Sequence, residues 1–530
     1  MLKRIILSAA CLTGLIFSQN SIITQVPSSA AGSKGIAVKI FYPDSARYGS
    51  AGAPVVISIP GGWNAGGITP LGVGYIDYGF IVIAFAMIGF DSGTYQSGGE
   101  YDVRGINCVT GLKDIALFAM GKIPDTSGKS INELVPNTVK ACTTNVGFLG
   151  SSNGGNLAIT AAGVFRKELG ELAWIVNKES PVGKGMPTAL AGWNLGGKTT
   201  INPAFNNTTG EFDFKTLKYT KITRPGLPSS TFYFDVNENG VLDPAVDFMT
   251  TPLRYEVAGS NTAFRWDELV ILNAFKNGIV PAPVPDDVMD TNDVKEFWKY
   301  RNGANWVDSA VAGNPGLAFM VVANETDHAQ SAPSHPHIVI QYNLFKNAGA
   351  FSRINPDRAY LEYVTGIPDP DAVDNMANAD FGYTNITDAL EKDGYERGLQ
   401  EAAGICEMAD RRHYDDYSVQ LEEVISSSPS TTIGNEKYIS LEDGLSLSYS
   451  RTAPVSINYQ ILEDDFIGLT VLNMQGKVVK TFVNKRQRSG KYSVHWDGKN
   501  DRGAVLSNGQ YVIRLKAGKQ ERVKKVLLLQ

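Results

Sequence analysis

Histidine is scarce in this chain: five residues in 530, at His328, His335, His337, His413 and His495. Chemistry that needs an imidazole base therefore has few places to find one. Cysteine is scarcer still. The four are Cys11, Cys108, Cys142 and Cys406, and no Cys-x-x-Cys spacing occurs. That excludes a thiolate zinc ribbon or a dithiol redox centre. No run of 18 continuous apolar residues occurs, so no spanning helix is expected in the mature chain. Positive charge is not in excess either, since 48 Lys and Arg stand against 54 Asp and Glu, a formal net charge of -6. A nucleic-acid partner needs a basic face to neutralise phosphates, so that class is not expected.

What remains is an ordinary globular composition, 43% hydrophobic and 19% charged. The length allows several domains. The N-terminus has three parts. Lys3 and Arg4 give a positive start, Ile5 to Phe17 form a short apolar run, and Ser18 suits cleavage before Gln19. This is the pattern of a secretory signal peptide over residues 1–18, and it predicts passage through the periplasm to the outer surface or the medium. The apolar run is too short to span a bilayer. Cys11 is a poor lipid-attachment site, because Leu7 lies one position too far away. Outside the cytoplasm a disulfide is permitted, and Cys108 and Cys142 could pair, leaving Cys406 free.

From residue 35 to 191 strand-like and helix-like segments alternate. Strands are expected at 35–42, 54–60, 80–86, 145–149 and 172–176, and helices at 104–120 and 157–165. Short β-branched runs alternating with helices imply a parallel sheet covered on both faces. Residues 183–314 lose this rhythm and read as an insertion. A strong strand returns at 317–323, followed by a helix at 337–346, a last strand at 359–364 and a mostly helical stretch at 388–425. A Ser/Pro/Thr linker at 426–434 separates this domain, residues 19–425, from 435–530. The latter carries seven short strand-like runs with turn residues between them, the pattern of an all-β sandwich.

Gly150-Ser151-Ser152-Asn153-Gly154 fits G-x-S-x-G. The pentapeptide alone is weak, but a strand leads in and a helix leads out, as a nucleophile elbow requires. Small residues at ±2 relieve the crowding of that tight turn. Together with Pro60-Gly61-Gly62-Trp63 and the helix from Arg104, the segment resembles the α/β-hydrolase superfamily. It looks closest to the dienelactone-hydrolase, prolyl-oligopeptidase-like and cutinase-like branches. The resemblance implies a doubly wound parallel sheet with a cap-like insertion, an exported serine hydrolase and a small-molecule or polymer acyl substrate. It makes Ser152 the nucleophile and gives the oxyanion to the amides of Trp63 and Asn153. No cofactor is expected for catalysis.

The resemblance also sets a chain order of Ser, then acid, then His. The loop after the 317–323 strand offers Asp327, with Glu325 as the alternative. The histidine should follow the last strand, and none lies in 365–374. Three readings stay open. His413 returns to the site through a long excursion; or His328, His335 or His337 supplies the base from the acid loop; or no base exists and the fold has become a surface binding module. Ser152, Asp327 and His413 are the triad taken forward.

Inside the insertion, Asp235-x-Asn237-x-Asn239-Gly240-x-x-Asp243 has the oxygen spacing of an EF-hand-type loop. Position 12 is Val246 rather than a bidentate glutamate. A structural calcium ion on Asp235, Asn237, Asn239 and Asp243 is the expectation. The aromatic residues of the insertion, among them Trp193, Phe232 and Trp266, are candidates to line a pocket.

In the last domain Asn473 with Gly476, Trp496-Asp497-Gly498, Gly503, Gly509-Gln510-Tyr511 and Lys524-Lys525 form a spaced pattern. It resembles the Ig-like domain of flagellar hook-capping proteins and the C-terminal sorting domains of type IX secretion. That resemblance implies a type IX-like secretion machinery as partner.

Overall fold

The computed structural model describes residues 20–64, 66–68, 73–93, 95–195, 198–206, 208–223, 227–257, 261–323, 335–357, 360–361, 364, 397–417, 445–448, 455–461, 465–473, 477–487, 490–507, 509–517 and 520–528. The chain divides into two compact units. One comprises Met1–Leu172, Arg254–Ala263 and Lys295–Asn314; the other comprises Ala173–Leu253, Phe264–Val294 and Pro315–Gln530.

In the first unit five strands lie side by side: β1 (Ser21–Ser28), β2 (Gly32–Phe41), β3 (Ala53–Ile59), β4 (Ile81–Phe85) and β5 (Ala141–Ser151), in the order β1-β2-β4-β3-β5. The pairs β1–β2 and β2–β4 are antiparallel, and β4–β3 and β3–β5 are parallel. Every residue of β3 (APVVISI) and β4 (IVIAF) is buried. Unbroken β-branched runs of this kind suit strands covered on both faces. Helix α1 (Ile106–Ala119) and helix α2 (Asn153–Val164) belong to this unit. Gly163 of α2 packs on Trp306, where an added Cβ would come within 2.5 Å of the Trp306 Cβ.

In the second unit β6 (Trp174–Lys178), β7 (Ala318–Val322) and β8 (Ser352–Ile354) are parallel, in the order β6-β7-β8. Helix α3 (Pro336–Asn347) connects β7 and β8, and helix α4 (Arg397–Tyr414) packs on β6 and β7. Gly404 permits that approach, since a Cβ there would lie 3.0 Å from the Met320 Sδ.

The last strand is not where the sequence suggests. Among the described residues it is Ser352–Ile354, and Tyr360, Leu361 and Val364 of the expected strand are helical. The apolar residues at 360, 361 and 364 follow helical spacing. The true strand is masked by Arg353 at its centre, which is fully buried. Buried charges must be paired. Arg353 Nε lies 3.2 Å from Glu407 Oε1, and Arg411 Nε donates to the same oxygen at 2.8 Å. The Asp357 amide donates to Glu407 Oε2 at 2.7 Å, and the Tyr360 hydroxyl to Asp410 Oδ2 at 2.9 Å. A network of this type destabilises strongly when one partner is removed. It fixes α4 to the end of β8.

Between β6 and β7 the described residues form small antiparallel sheets, such as Leu217–Lys221 with Ser230–Phe234 and Phe248–Met249, and short helices. Asp267 begins the helix Glu268–Lys276 by accepting the Leu269 amide at 2.8 Å and the Thr188 hydroxyl at 2.6 Å. Burial nonetheless raises its pKa above the ordinary carboxylate value.

The C-terminal strands form two antiparallel sheets. One has the order Leu445–Ser448, Val455–Ile461, Gly490–Trp496; the other Val478–Gln487, Asp465–Asn473, Gly509–Ala517, Gln520–Leu528. Ile457, Tyr459 and Trp496 of the first meet Ile467, Leu469, Val471, Ile513 and Leu515 of the second in one core. Trp496 packs edge-on against Tyr511 at 5.4 Å and donates its indole N–H to the Lys499 carbonyl at 3.0 Å. This is an all-β sandwich of the kind the alternating strands imply.

The pairing of Cys108 with Cys142 is not formed: among the described residues no disulfide joins Cys108, Cys142 or Cys406. Cys108 is held inside α1, and burial pushes its thiol pKa upward. A buried protonated thiol is inert. In the folded protein an alkylating reagent should modify half-buried Cys142 first, and Cys108 and Cys406 only after denaturation. Peptide mass mapping of native and unfolded samples checks this, and a Cys108–Cys142 crosslink would contradict it.

Candidate active site

Ser152 sits between β5 and α2 with φ 49° and ψ −125°, a region that a residue with a Cβ rarely adopts. The strain is imposed by close backbone packing. A Cβ on Gly154 would come 2.3 Å from the Ile59 carbonyl oxygen, and one on Gly150 would come 2.5 Å from the Gly155 Cα. The glycines at ±2 of Ser152 thus let α2 press against β3 and β5, and the connecting residue takes up the bend. Ser152 remains half-exposed.

The loop after β3 lies directly against this serine. A Cβ on Gly61 would be 2.9 Å from the Ser152 Cβ and 3.6 Å from its Oγ. Gly62 follows with φ 78°, a left-handed turn that suits glycine. The half-buried Trp63 packs edge-on against Trp298 at 5.9 Å. Asn153 is the first residue of α2, so its amide is one of the helix N–H groups without an intrahelical acceptor. Ser152, Asn153 and the Gly61–Trp63 loop are therefore brought to one place within the first unit.

Five strands in the order 1-2-4-3-5, three more in the order 6-7-8, and a strained serine directly after the fifth are now in place. The arrangement resembles that of α/β hydrolases. Its glycine-rich loop after the third strand and its serine turn stand where the sequence motifs predicted.

Four residues around the loop escape a motif reading: Tyr101, Asp102, Arg104 and Arg301. Arg104 reads as the first residue of a helix, but α1 begins at Ile106, and Val103 and Arg104 are both left-handed, with φ 57° and 63°. The Arg104 side chain is only 2% exposed. Its Nη2 donates to the Gly61 carbonyl at 2.6 Å, and the Tyr101 hydroxyl donates to the Trp63 carbonyl at 2.6 Å. Burial raises the Tyr101 pKa, so the phenol keeps its proton to donate. The available signal was chemical: an arginine inside an apolar stretch is rarely buried without a specific partner.

The predicted acid Asp327, its alternative Glu325 and the candidate base His328 lie outside the described residues. His413 lies in the last turn of α4, half-buried, with its ring edge-on to Tyr414 at 4.7 Å. Beside Arg411 and Arg412 it also suits the negative end of the helix dipole. His335 and His337 are both buried, and His335 precedes α3 with φ 38°.

In the loop from Asp235 to Asp243, the side chains expected to meet a cation accept amide hydrogens of the loop itself. Asp235 takes the amides of Asn239 and Gly240, Asn237 that of Asn239, Asn239 that of Val241 and Asp243 that of Ala245. Asp247, one residue beyond the twelfth position of the loop, accepts the amides of Val236 and Asp243. Among the described residues no group of three or more His, Cys, Asp or Glu is gathered to hold a metal ion. Phe232 and Trp266 are core residues in edge-on contact at 5.1 Å, which corrects their reading as pocket lining.

Residues 447–521 match the family model of the FlgD Ig-like domain. A solved structure of FlgD from P. aeruginosa is 18% identical, covering 16% of this chain and 64% of that chain with a TM-score of 0.13. Carboxyl esterase 2 from the mycorrhizal fungus Tuber melanosporum is 13% identical, covering 63% of this chain and 75% of that chain, TM-score 0.31. The thermostable carboxylesterase EstE1, cloned from a metagenomic library, is 12% identical, covering 63% and 77%, TM-score 0.30. No curated protein matches. At such low TM-scores these likenesses carry no argument.

The backbone contact at Gly154 gives a direct prediction. Gly154→Ala should lower stability by about 1–3 kcal/mol, because its Cβ meets a carbonyl rather than a movable side chain. Thermal denaturation of variant and parent should show a lower Tm for the variant.

Proposed function

We propose that the protein is an exported serine hydrolase that cleaves an ester or a related acyl bond. The observation that carries this is the strained Ser152, with Gly61 of the β3 loop packed on its Cβ. A serine held in that turn, beside a glycine loop and at a helix N-terminus, suits acyl transfer.

In this reading Ser152 Oγ attacks the acyl carbonyl carbon while His413 takes its proton, and Asp327 orients the imidazole. The amides of Trp63 and Asn153 hold the oxyanion. Collapse releases the alcohol, which takes the proton from the histidine, and water then cleaves the acyl-enzyme by the same route. The substrate class is a small-molecule or polymer acyl compound. The first 18 residues supply export, and the Ig-like domain acts as the signal for a type IX-like machinery, supported by its sequence resemblance.

The test is labelling of the purified protein with a fluorophosphonate, comparing the parent with Ser152→Ala and His413→Ala. Labelling lost in both variants is the expected outcome. Loss in Ser152→Ala alone moves the base to His328, His335 or His337. A folded parent that takes no label overturns the hydrolase in favour of a surface binding protein.

The proposal also gives the Asp235–Asp243 loop a structural calcium ion, supported by the D-x-N-x-N-G spacing. A chelator in excess should then lower Tm by several degrees, and added calcium should restore it. An unchanged Tm would leave the loop as a turn held by its own amides.

A further inference from the structure

The Gly61–Trp63 segment is held from behind at two points. Arg104 binds the Gly61 carbonyl and Tyr101 binds the Trp63 carbonyl, both at 2.6 Å. In a trans peptide the N–H points opposite to its C=O. The two bonds therefore fix the peptide planes on either side of the Gly62–Trp63 peptide. That middle peptide carries the Trp63 amide, which would face the oxyanion. With both neighbours pinned, it can turn only through opposing changes of ψ at Gly62 and φ at Trp63, so the two bonds narrow its freedom. A cation on the Gly61 carbonyl also polarises that peptide and strengthens the Gly62 N–H as a donor.

Arg104 is itself held under strain. Val103 and Arg104 are consecutive left-handed residues, and Val103 is β-branched, which makes the conformation costly. Arg301 secures it, with Nε donating to the Val103 carbonyl at 2.7 Å and Nη2 to the Asp102 carbonyl. The Asp102 carboxylate accepts the amides of Gly105 at 2.9 Å and Asn107 at 2.6 Å. A Cβ on Gly105 would collide with Asp102 and Arg301, so the clamp is closely packed. Arg301 follows the helix Thr291–Lys299, whose Trp298 also touches Trp63. One end of the insertion thus braces the loop twice.

Arg104 has no use in this site as a structural ion pair. Among the described residues its Nε and Nη1 have no hydrogen-bond partner. Burial works against its charge, yet arginine stays protonated. Arg104 meets the Gly61 carbonyl and lies against Tyr101, which itself holds the Trp63 carbonyl, so both side chains act on the same loop.

We propose that Arg104 is a positioning residue that presets the oxyanion loop through the Gly61 carbonyl, with Tyr101 as its partner on Trp63 and Arg301 as the clamp that seats it. The proposal rests on the serine-hydrolase reading. It assigns Arg104 no contact with substrate.

The experiment measures kcat and KM for p-nitrophenyl acetate, and affinity for an alkylboronic acid that forms a tetrahedral adduct on serine. The proteins are the parent, Ser152→Ala, Arg104→Met, Arg104→Lys and Tyr101→Phe. For Arg104→Met, kcat should fall about 10–100-fold, somewhat less than for deleting an oxyanion donor outright. KM should stay within about threefold, and boronate affinity should fall in step with kcat, because the lost interaction belongs to the tetrahedral state. Arg104→Lys should recover part of the loss, and Tyr101→Phe should show a smaller fall of the same kind. A merely structural role would lower Tm and disturb KM without the matched loss of boronate binding, and that result overturns the proposal. An active parent with an equally active Arg104→Met overturns it while leaving the hydrolase in place. Should Arg104→Met fail to fold, unchanged kcat in Tyr101→Phe overturns it instead. A parent that neither turns over ester nor takes the fluorophosphonate overturns the hydrolase reading and this inference with it.

Discussion

The first unit is organised by a contact between two pieces of backbone. The start of α2 approaches the end of β3 so closely that Gly154 has no room for a side chain against the Ile59 carbonyl. Everything at the site follows from that approach. It bends the chain at Ser152 into a left-handed conformation, brings Gly61 onto the serine and leaves the helix amides beside it. The conformational cost at one residue is sustained because strand and helix packing on both sides is already complete.

Much of this arrangement was legible from residue order. The buried strands announced themselves as unbroken β-branched runs, and the serine turn as glycines at fixed offsets between a strand and a helix. The last parallel strand was not legible. Its three residues carry a buried arginine at the centre, and hydropathy cannot foresee that Glu407, more than fifty residues further on, will neutralise it. The same blindness hid Arg104 and Arg301. Their roles depend on carbonyls, which every residue has and no pattern can mark. The Cys108–Cys142 pairing failed for the opposite reason, because permissive chemistry says nothing about whether two thiols meet.

Buried arginine recurs as a structural device in both units, with different surroundings. Arg353 and Arg411 converge on Glu407, a charge matched by a charge. Arg104 meets a carbonyl instead. The first arrangement locks a helix to a strand end. The second leaves a positive charge whose field is not cancelled by a contacting carboxylate, and inside a protein such a field reaches further than it would in water.

In the C-terminal sandwich the strand Val478–Gln487 forms one border of the four-stranded sheet, with no further strand paired to it among the described residues. An open edge offers unpaired amides and carbonyls to any passing strand. Here that border carries the exposed Lys485 and Arg486. Two such modules brought together at that border would set like charges against each other. Crowding should therefore keep copies of this domain apart rather than zip them into fibres.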